Sequence, residues 1–271
     1  MGVVGGEGSS PPPVIDGDVR AAYDATAGVW SEAPDRLYSA LARPLLDALS
    51  SRDGAVAVDV GAGSGAVTRG LNDQGWQVVA VDTSPRMLVV NRSRTPCRVV
   101  VGDAAALPLA PSTADAVTLG FVLNHLARPE LALGEAVRVV RPGGLVLATT
   151  WSRRQDHPAR EVVEAGLAEH GYVRPAWYAA LKQERFPLTD TDEGLRAVSD
   201  GLDAVVEEHQ VDAPLTAPDL VAWRLGMAQH GPFVAALPEV ERVALVDELI
   251  AACTGLPPLQ CRVLLLRVRV G

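Results

Sequence analysis

The segment Val56-Ala57-Val58-Asp59-Val60-Gly61-Ala62-Gly63-Ser64-Gly65 restricts the fold of this chain more than any other stretch. An apolar run suited to a buried strand passes straight into three glycines at alternate positions, and a helical pattern follows. Glycine reaches backbone angles that allow a tight turn and lets a ligand approach the main chain. A second apolar run, 77–82, ends in Asp82, 17 positions after Gly65. A turn at one strand's carboxyl edge, with an acid at the tip of the next strand, is how an open α/β sheet holds an adenosine. The Asp82 carboxylate can accept from both ribose hydroxyls in charge-assisted hydrogen bonds.

The rest of the chain repeats that rhythm. Strands are expected at 55–60, 77–82, 98–102, 115–121 and 144–151, with helices at 64–74, 84–92 and 129–140. Near-continuous Val/Ala strands imply that both sheet faces are covered. Repeated strand-helix units imply a parallel, right-handed, doubly wound sheet. Ahead of it, Ala21, Ala22, Ala25, Leu37, Leu41, Leu45 and Leu49 fall at helical spacing, giving one or two helices. Beyond Trp151 the pattern predicts a helix at 158–170 stopped by Gly171, a strand at 183–188, helices at 217–236 and 239–253, and a last strand at 262–270. The chain thus divides into a leader (1–15), N-terminal lid helices (16–50), a Rossmann-like core (51–155) and a sheet-completing segment (156–271). The last carries a helical cap at about 190–255. The fold class is α/β: a seven-stranded, mostly parallel sheet with an antiparallel last strand.

Bulk properties narrow the function. A net charge of −9 and the lack of a Lys/Arg run argue against nucleic acid, which requires a concentrated basic face. The arginines at 262–270 alternate with apolar residues, as on a solvated strand face. No apolar run spans a bilayer, and the Gly/Pro-rich leader lacks the basic and apolar regions of a signal peptide. Cys97, Cys253 and Cys261 show neither metal nor disulfide spacing and suit a reducing compartment. These features predict a cytoplasmic protein with no metal; a monomer or homodimer is expected, though nothing in the sequence reveals which. Asp190, Asp192 and Glu193 read as a helix N-terminus.

The glycine turn alone is ambiguous, because Gly61, Gly63 and Ala66 also fit a dinucleotide fingerprint. Later features favour another nucleoside. Ser84 is suited to cap a helix with Pro85 in its first turn, placing the flexible thioether of Met87 where it can pack on an adenine. Asp103, in Gly102-Asp103-Ala104, can accept from an adenine amino group or cap a turn. With Phe121-Val122-Leu123-Asn124-His125-Leu126 and Arg141-Pro142-Gly143-Gly144, this ordered set resembles the class I S-adenosylmethionine-dependent methyltransferases, in the small-molecule branch with the ubiquinone/menaquinone-type enzymes. The resemblance covers roughly 55–151, and more loosely 20–49 and 158–270.

The resemblance implies that S-adenosyl-L-methionine is the cofactor and S-adenosyl-L-homocysteine its product. Gly61, Ala62, Gly63 and Gly65 would contact the methionine part, and Asp59 would serve the turn and the methionine amino group. Asp82, with Thr83, would hold the ribose. Met87 would flank the adenine, and Gly102, Asp103 and Ala104 its edge. Phe121 would line the methyl-bearing side, and Tyr23 would lie on a lid helix with Asp24 and Trp30. An antiparallel hairpin following the fifth strand would suit Gly171-Tyr172 and the final strand.

A sulfonium methyl is already activated, so holding a nucleophile in line supplies much of the acceleration. His125 is the candidate general base; contact with a ligand or a structural hydrogen bond are the other readings. Asn124, Trp30, Trp151, Trp177, Tyr178 and Trp223 are candidates for an acceptor pocket, with Phe233 beside them. His157 and His230 are spare bases, otherwise read as exposed loop or cap histidines. The expected reaction is O-, N- or C-methylation of a small molecule of secondary or quinone-like metabolism. Two alternatives stand: a cofactor-binding enzyme that cyclises instead of methylating, and an NAD(P)-dependent oxidoreductase, for which Tyr178 and Lys182 supply only a nominal Tyr-x-x-x-Lys pattern.

Overall fold

The computed structural model describes residues 16–30, 33–50, 53–213 and 215–271; the expected leader at 1–15 lies outside them. Three helices come first: α1 (Asp16–Trp30), α2 (Ala33–Leu41) and α3 (Arg43–Asp47). The alternation then runs β1 (Val56–Val60), α4 (Ala66–Asp73), β2 (Gln77–Asp82), α5 (Pro85–Arg94), β3 (Arg98–Val101) and β4 (Ala114–Gly120). A 3-10 turn (Leu123–His125), α6 (Pro129–Val139) and β5 (Val140–Trp151) follow. The remainder is α7 (Ala159–Glu169), α8 (Ala176–Glu184), a 3-10 turn (Phe186–Leu188), α9 (Asp192–Val198), β6 (Asp203–Ala213), α10 (Ala217–Gly226), α11 (Gly231–Ala236), α12 (Glu239–Cys253) and β7 (Leu259–Arg269).

All seven strands form one sheet in the order β3-β2-β1-β4-β5-β7-β6. The first five are parallel, and β7 runs antiparallel to both β5 and β6. Alternate residues of each strand serve opposite faces. Val58, Val117 and Val146 pack toward Leu133, Ala136 and Val139 of α6. Their neighbours Ala57, Ala116 and Leu147 pack toward Leu45, Leu71 and Trp76. This two-sided burial explains the near-continuous apolar strands. The strand order reverses between β1 and β4, and a crevice opens at such a point beyond the carboxyl ends.

The caps follow the sequence. The Ser84 hydroxyl accepts from Met87 N–H at the start of α5, and Thr191 accepts from Gly194 N–H ahead of Asp192 and Glu193. Gly171 (φ +85°) ends α7, with its own N–H and that of Tyr172 turning back to Ala168 and Leu167.

Four expectations fail after Trp151. The strand at 183–188 is instead the end of α8 and a 3-10 turn. Pro187 has no N–H for a ladder, while Leu188 and Thr189 close short turns onto Arg185 and Phe186. The cap at about 190–255 is not wholly helical, because β6 lies within it and pairs with β7 over its whole length. The antiparallel pair is β6–β7, without Gly171-Tyr172, and it is no tight hairpin, because three helices lie between the two strands. The helix at 217–236 is two helices, broken between Gly226 and Gly231.

Candidate active site

The glycine turn and the tip of β2 are built as one unit. Gly61, Gly63 and Gly65 all have positive φ (65°, 51° and 99°). A Cβ on Gly61 would lie 2.2 Å from Val122 Cγ2, so the turn admits no side chain there. Gly63 N–H donates to Asp82 Oδ2 and Ser84 N–H to Oδ1, both at 2.8 Å. Each carboxylate oxygen keeps a further lone pair for a ligand hydroxyl. Burial pushes the Asp82 carboxyl above its usual range, opposed by those two N–H groups.

Asp59 lies deeper. Its carboxylate accepts from the hydroxyls of Thr68 (2.6 Å) and Thr118 (3.0 Å). Burial raises it to about 6 despite them. A cationic ligand group beside it would hold it ionised.

These residues border a cavity of about 620 Å³ at the carboxyl ends of β1, β2 and β4, within the usual range for a small-molecule site. Asp59, Gly61, Ala62, Gly63, Asp82, Thr83, Met87, Gly102, Asp103, Ala104, Phe121 and Tyr23 all line it. Gly65 does not. It opens α4, and a Cβ there would come within 3.0 Å of Asn91 Oδ1, so its role is to pack the turn against α5. Asp103 keeps both of its readings: it borders the cavity and also accepts from Ala105 N–H at 2.8 Å. Paired acceptors at Asp82, a buried acid at Asp59 and an open glycine turn fit a nucleoside bearing a charged amino-acid tail.

Phe121 has φ +58°, a genuine outlier for a bulky side chain. Its N–H is fixed to Thr149 O (2.9 Å), and its ring meets Tyr38 at 5.1 Å and Trp151 at 5.2 Å. Nothing in the residue type announces this strain.

α1 and α2 form the roof. Ser84 Oγ donates to Asp24, tying α1 to α5. Asp35, only 2% exposed, accepts from Ser64 Oγ (2.8 Å) and pairs with Arg69 (2.5 Å) and Arg94 (3.2 Å). In the sequence Asp35 looks like any first-turn helix acid and Tyr38 like any helical aromatic, yet Tyr38 stacks on Trp30 at 5.5 Å. Trp30 lines this proximal cavity with Met87 nearby, not the acceptor side where it was expected.

A second cavity of about 260 Å³ lies beyond a shared wall made by Tyr23, Tyr38, His125 and Trp151. Asn124, Trp177, Tyr178 and Trp223 line it. Sequence reasoning did not find Arg224 and Gln229, which line it too. His125 Nε2 is 3.2 Å from the Tyr23 hydroxyl, and its Nδ1 is buried with no protein partner among the described residues. Burial, assisted by Arg185, lowers the imidazole to about 4, so it is neutral at pH 7. Phe233 borders neither cavity and packs on Tyr172. His230 is buried rather than exposed, and its Nδ1–H donates to Arg224 O at 2.7 Å. His157 lines the distal cavity but is committed on both ring nitrogens, to Pro257 O and Ala159 N–H. Lys182 Nζ sits 5.9 Å from the Tyr178 ring, in the distal cavity and away from the glycine turn, so the nominal Tyr-x-x-x-Lys does not adjoin a dinucleotide site.

Residues 58–148 match the family model described as a methyltransferase domain. The chain is 38% identical over 191 residues to a demethylmenaquinone methyltransferase of Renibacterium salmoninarum, covering 68% of this chain and 79% of that one. It is 39% identical over 136 residues to the same-named enzyme of Beutenbergia cavernae, covering 50% and 55%. Among solved structures, the 4+2 cyclase SpnF superposes with a TM-score of 0.57 at 19% identity, over 97% of this chain and 100% of that one. That likeness establishes the fold alone.

Proposed function

Because this chain belongs to the class I S-adenosylmethionine-dependent methyltransferases, in the branch with the ubiquinone- and menaquinone-type enzymes, we propose that it methylates a flat, quinone-like or phenolic small molecule held in the distal cavity. The observation that carries this reading is the shared wall. Tyr23, Tyr38, His125 and Trp151 border both cavities, so a ligand in each would meet there. The relatives named above are demethylmenaquinone methyltransferases, and the aromatic lining of Trp151, Trp177, Tyr178 and Trp223 suits a planar acceptor.

Asp82, Thr83, Met87 and Asp103 would hold the nucleoside, and Asp59 with the 61–63 turn its amino-acid end. Bound S-adenosyl-L-methionine supplies an activated methyl group. The chain's own contribution is positioning and exclusion of water by α1, α2 and the aromatic wall. His125 orients the wall through Tyr23. Burial lowers its pKa to about 4, which makes it a weak base. A neutral His125 suits an acceptor that arrives as an anion or needs no base.

The test is incubation of purified protein with S-adenosyl-L-methionine and a panel of quinols and phenols. Formation of S-adenosyl-L-homocysteine with a methylated product supports the reading. Acceptor turnover without S-adenosyl-L-homocysteine would replace it with a cyclase-like reaction on the same fold.

A further inference from the structure

Three donors stand among the unpartnered buried polar atoms of the distal cavity's lining, beside the Asn124 Oδ1 acceptor and His125 Nδ1. Trp223 Nε1, Arg224 Nε and Gln229 Nε2 are buried and have no protein partner among the described residues. All three side chains line this cavity and are at least nine-tenths buried, at 8%, 7% and 3% exposure. An unpartnered buried N–H loses the hydrogen bond it had in water, and three in one small cavity are costly unless something accepts from them.

The charges lean the same way. Arg153 on the cavity wall is matched by Asp190 at 2.8 Å. That leaves Arg160, Lys182 and Arg224 facing one carboxylate, Asp156. Glu164, behind Arg224 at 3.3 Å, is shared with Arg174 at 2.6 Å, so it does not neutralise both. The arrangement is also fixed in place. His230 Nδ1–H holds the Arg224 carbonyl, Tyr172 Oη–H donates to the Gln229 carbonyl at 3.2 Å, and the guanidinium lies 5.4 Å from the Trp223 ring centre.

We infer that Trp223, Arg224 and Gln229 form a carboxylate subsite, and that the acceptor is an aromatic acid whose carboxylate docks there while its ring faces Trp151. A carboxylate suits this set better than a single phenolate oxygen. Its two oxygens offer about four acceptor positions, and Arg and Gln can each donate twice. The inference rests on the methyl-transfer reading for the direction the ring faces, but the subsite itself can be tested by binding alone.

The probes are 1-naphthoate, its neutral isostere 1-naphthamide, and 1-naphthol, each titrated into protein saturated with S-adenosyl-L-homocysteine. Quenching of the cavity tryptophans and calorimetry give the affinities. Naphthoate is expected to bind roughly tenfold or more tightly than either neutral probe, the scale of one or two charge-assisted hydrogen bonds. Trp223→Phe, which keeps a ring and removes the N–H, should reduce that preference several-fold. Gln229→Met should do the same, and Arg224→Gln should abolish it. Equal affinity for naphthoate and naphthamide, or a preference unchanged in Trp223→Phe, would overturn the subsite while leaving methyl transfer intact. Failure of S-adenosyl-L-homocysteine to bind, with the naphthoate preference preserved, would instead sink the methyl-transfer reading and spare the subsite.

Discussion

On the β3-β2-β1-β4 side the site is made of main chain and short side chains at strand ends. Gly61, Gly63, Asp82 and Asp103 lie within a few residues of a strand terminus, and the strands set their positions. On the β5-β7-β6 side the site is made of long side chains from separate elements. Lys182 comes from α8, Trp223 and Arg224 from α10, and Gln229 from the break after it. The first kind of site tolerates almost no change in backbone shape but little depends on distant packing. The second depends on how α8, α10 and the segment after it pack together, from positions far apart in the chain.

The contrast can be tested where the backbone is least forgiving. Gly61→Val combines a positive φ, costing about 1–2 kcal/mol, with a 2.2 Å approach to Val122. Its expected effect is a loss of S-adenosyl-L-homocysteine affinity of roughly a hundredfold or more by calorimetry, with a lowered melting temperature. Near-normal affinity would show that the turn is not the rigid part.

Buried histidines probe the packed half. His230, like His125, is lowered to about 4 by burial. The folded pKa is depressed below the unfolded value of about 6.5, so the neutral form belongs to the fold. The stability tied to each is complete above about pH 6.5 and is lost as pH falls toward 4, up to about 3 kcal/mol apiece. Urea titrations across that window should show His230→Asn losing less stability on acidification than the parent. Parallel curves would mean that His230 binds its proton equally in the folded and unfolded chain, so that burial does not depress it.

Asp59 has the opposite sign. Its folded pKa, about 6, lies above its ordinary 3.8. The fold therefore favours the protonated acid, and up to about 3 kcal/mol of stability is lost as pH rises from about 4 to 6. Asp59→Asn should flatten that loss and leave the ligand-free protein as stable or more so at pH 7, while weakening S-adenosyl-L-methionine binding about tenfold. A destabilised, tightly binding variant would reverse the assignment. The smallest effect is expected at Arg36, whose exposed ion pair with Asp219 joins α2 to α10 at 2.7 Å. Arg36→Ala should change unfolding free energy by no more than about 0.5 kcal/mol.

The same contrast explains what could be read in advance. Element boundaries up to Trp151 fall within a few residues of expectation because strand, turn and helix signals there are local. β6 escaped because its Glu207-Glu208-His209-Gln210 stretch carries the polar composition of an edge strand, and only its partner β7 makes it a strand. His125 and Trp223 were legible as candidates from their place and type. Arg224 was not, because an arginine beside a tryptophan on a helix usually faces water. Asp35 was missed for the same reason, since its partners lie about 30 to 60 positions away, on α4 and α5.

The position of β7 between β5 and β6 has a consequence for biogenesis. On the ribosome, the first five strands and their helices can assemble as they emerge. β6 has no sheet neighbour except β7, so it must wait, unpaired, through the synthesis of some fifty further residues. The antiparallel end of the sheet can therefore close only once residues 259–269 have been made, whereas the five parallel strands and the crevice at their carboxyl ends need nothing from β7.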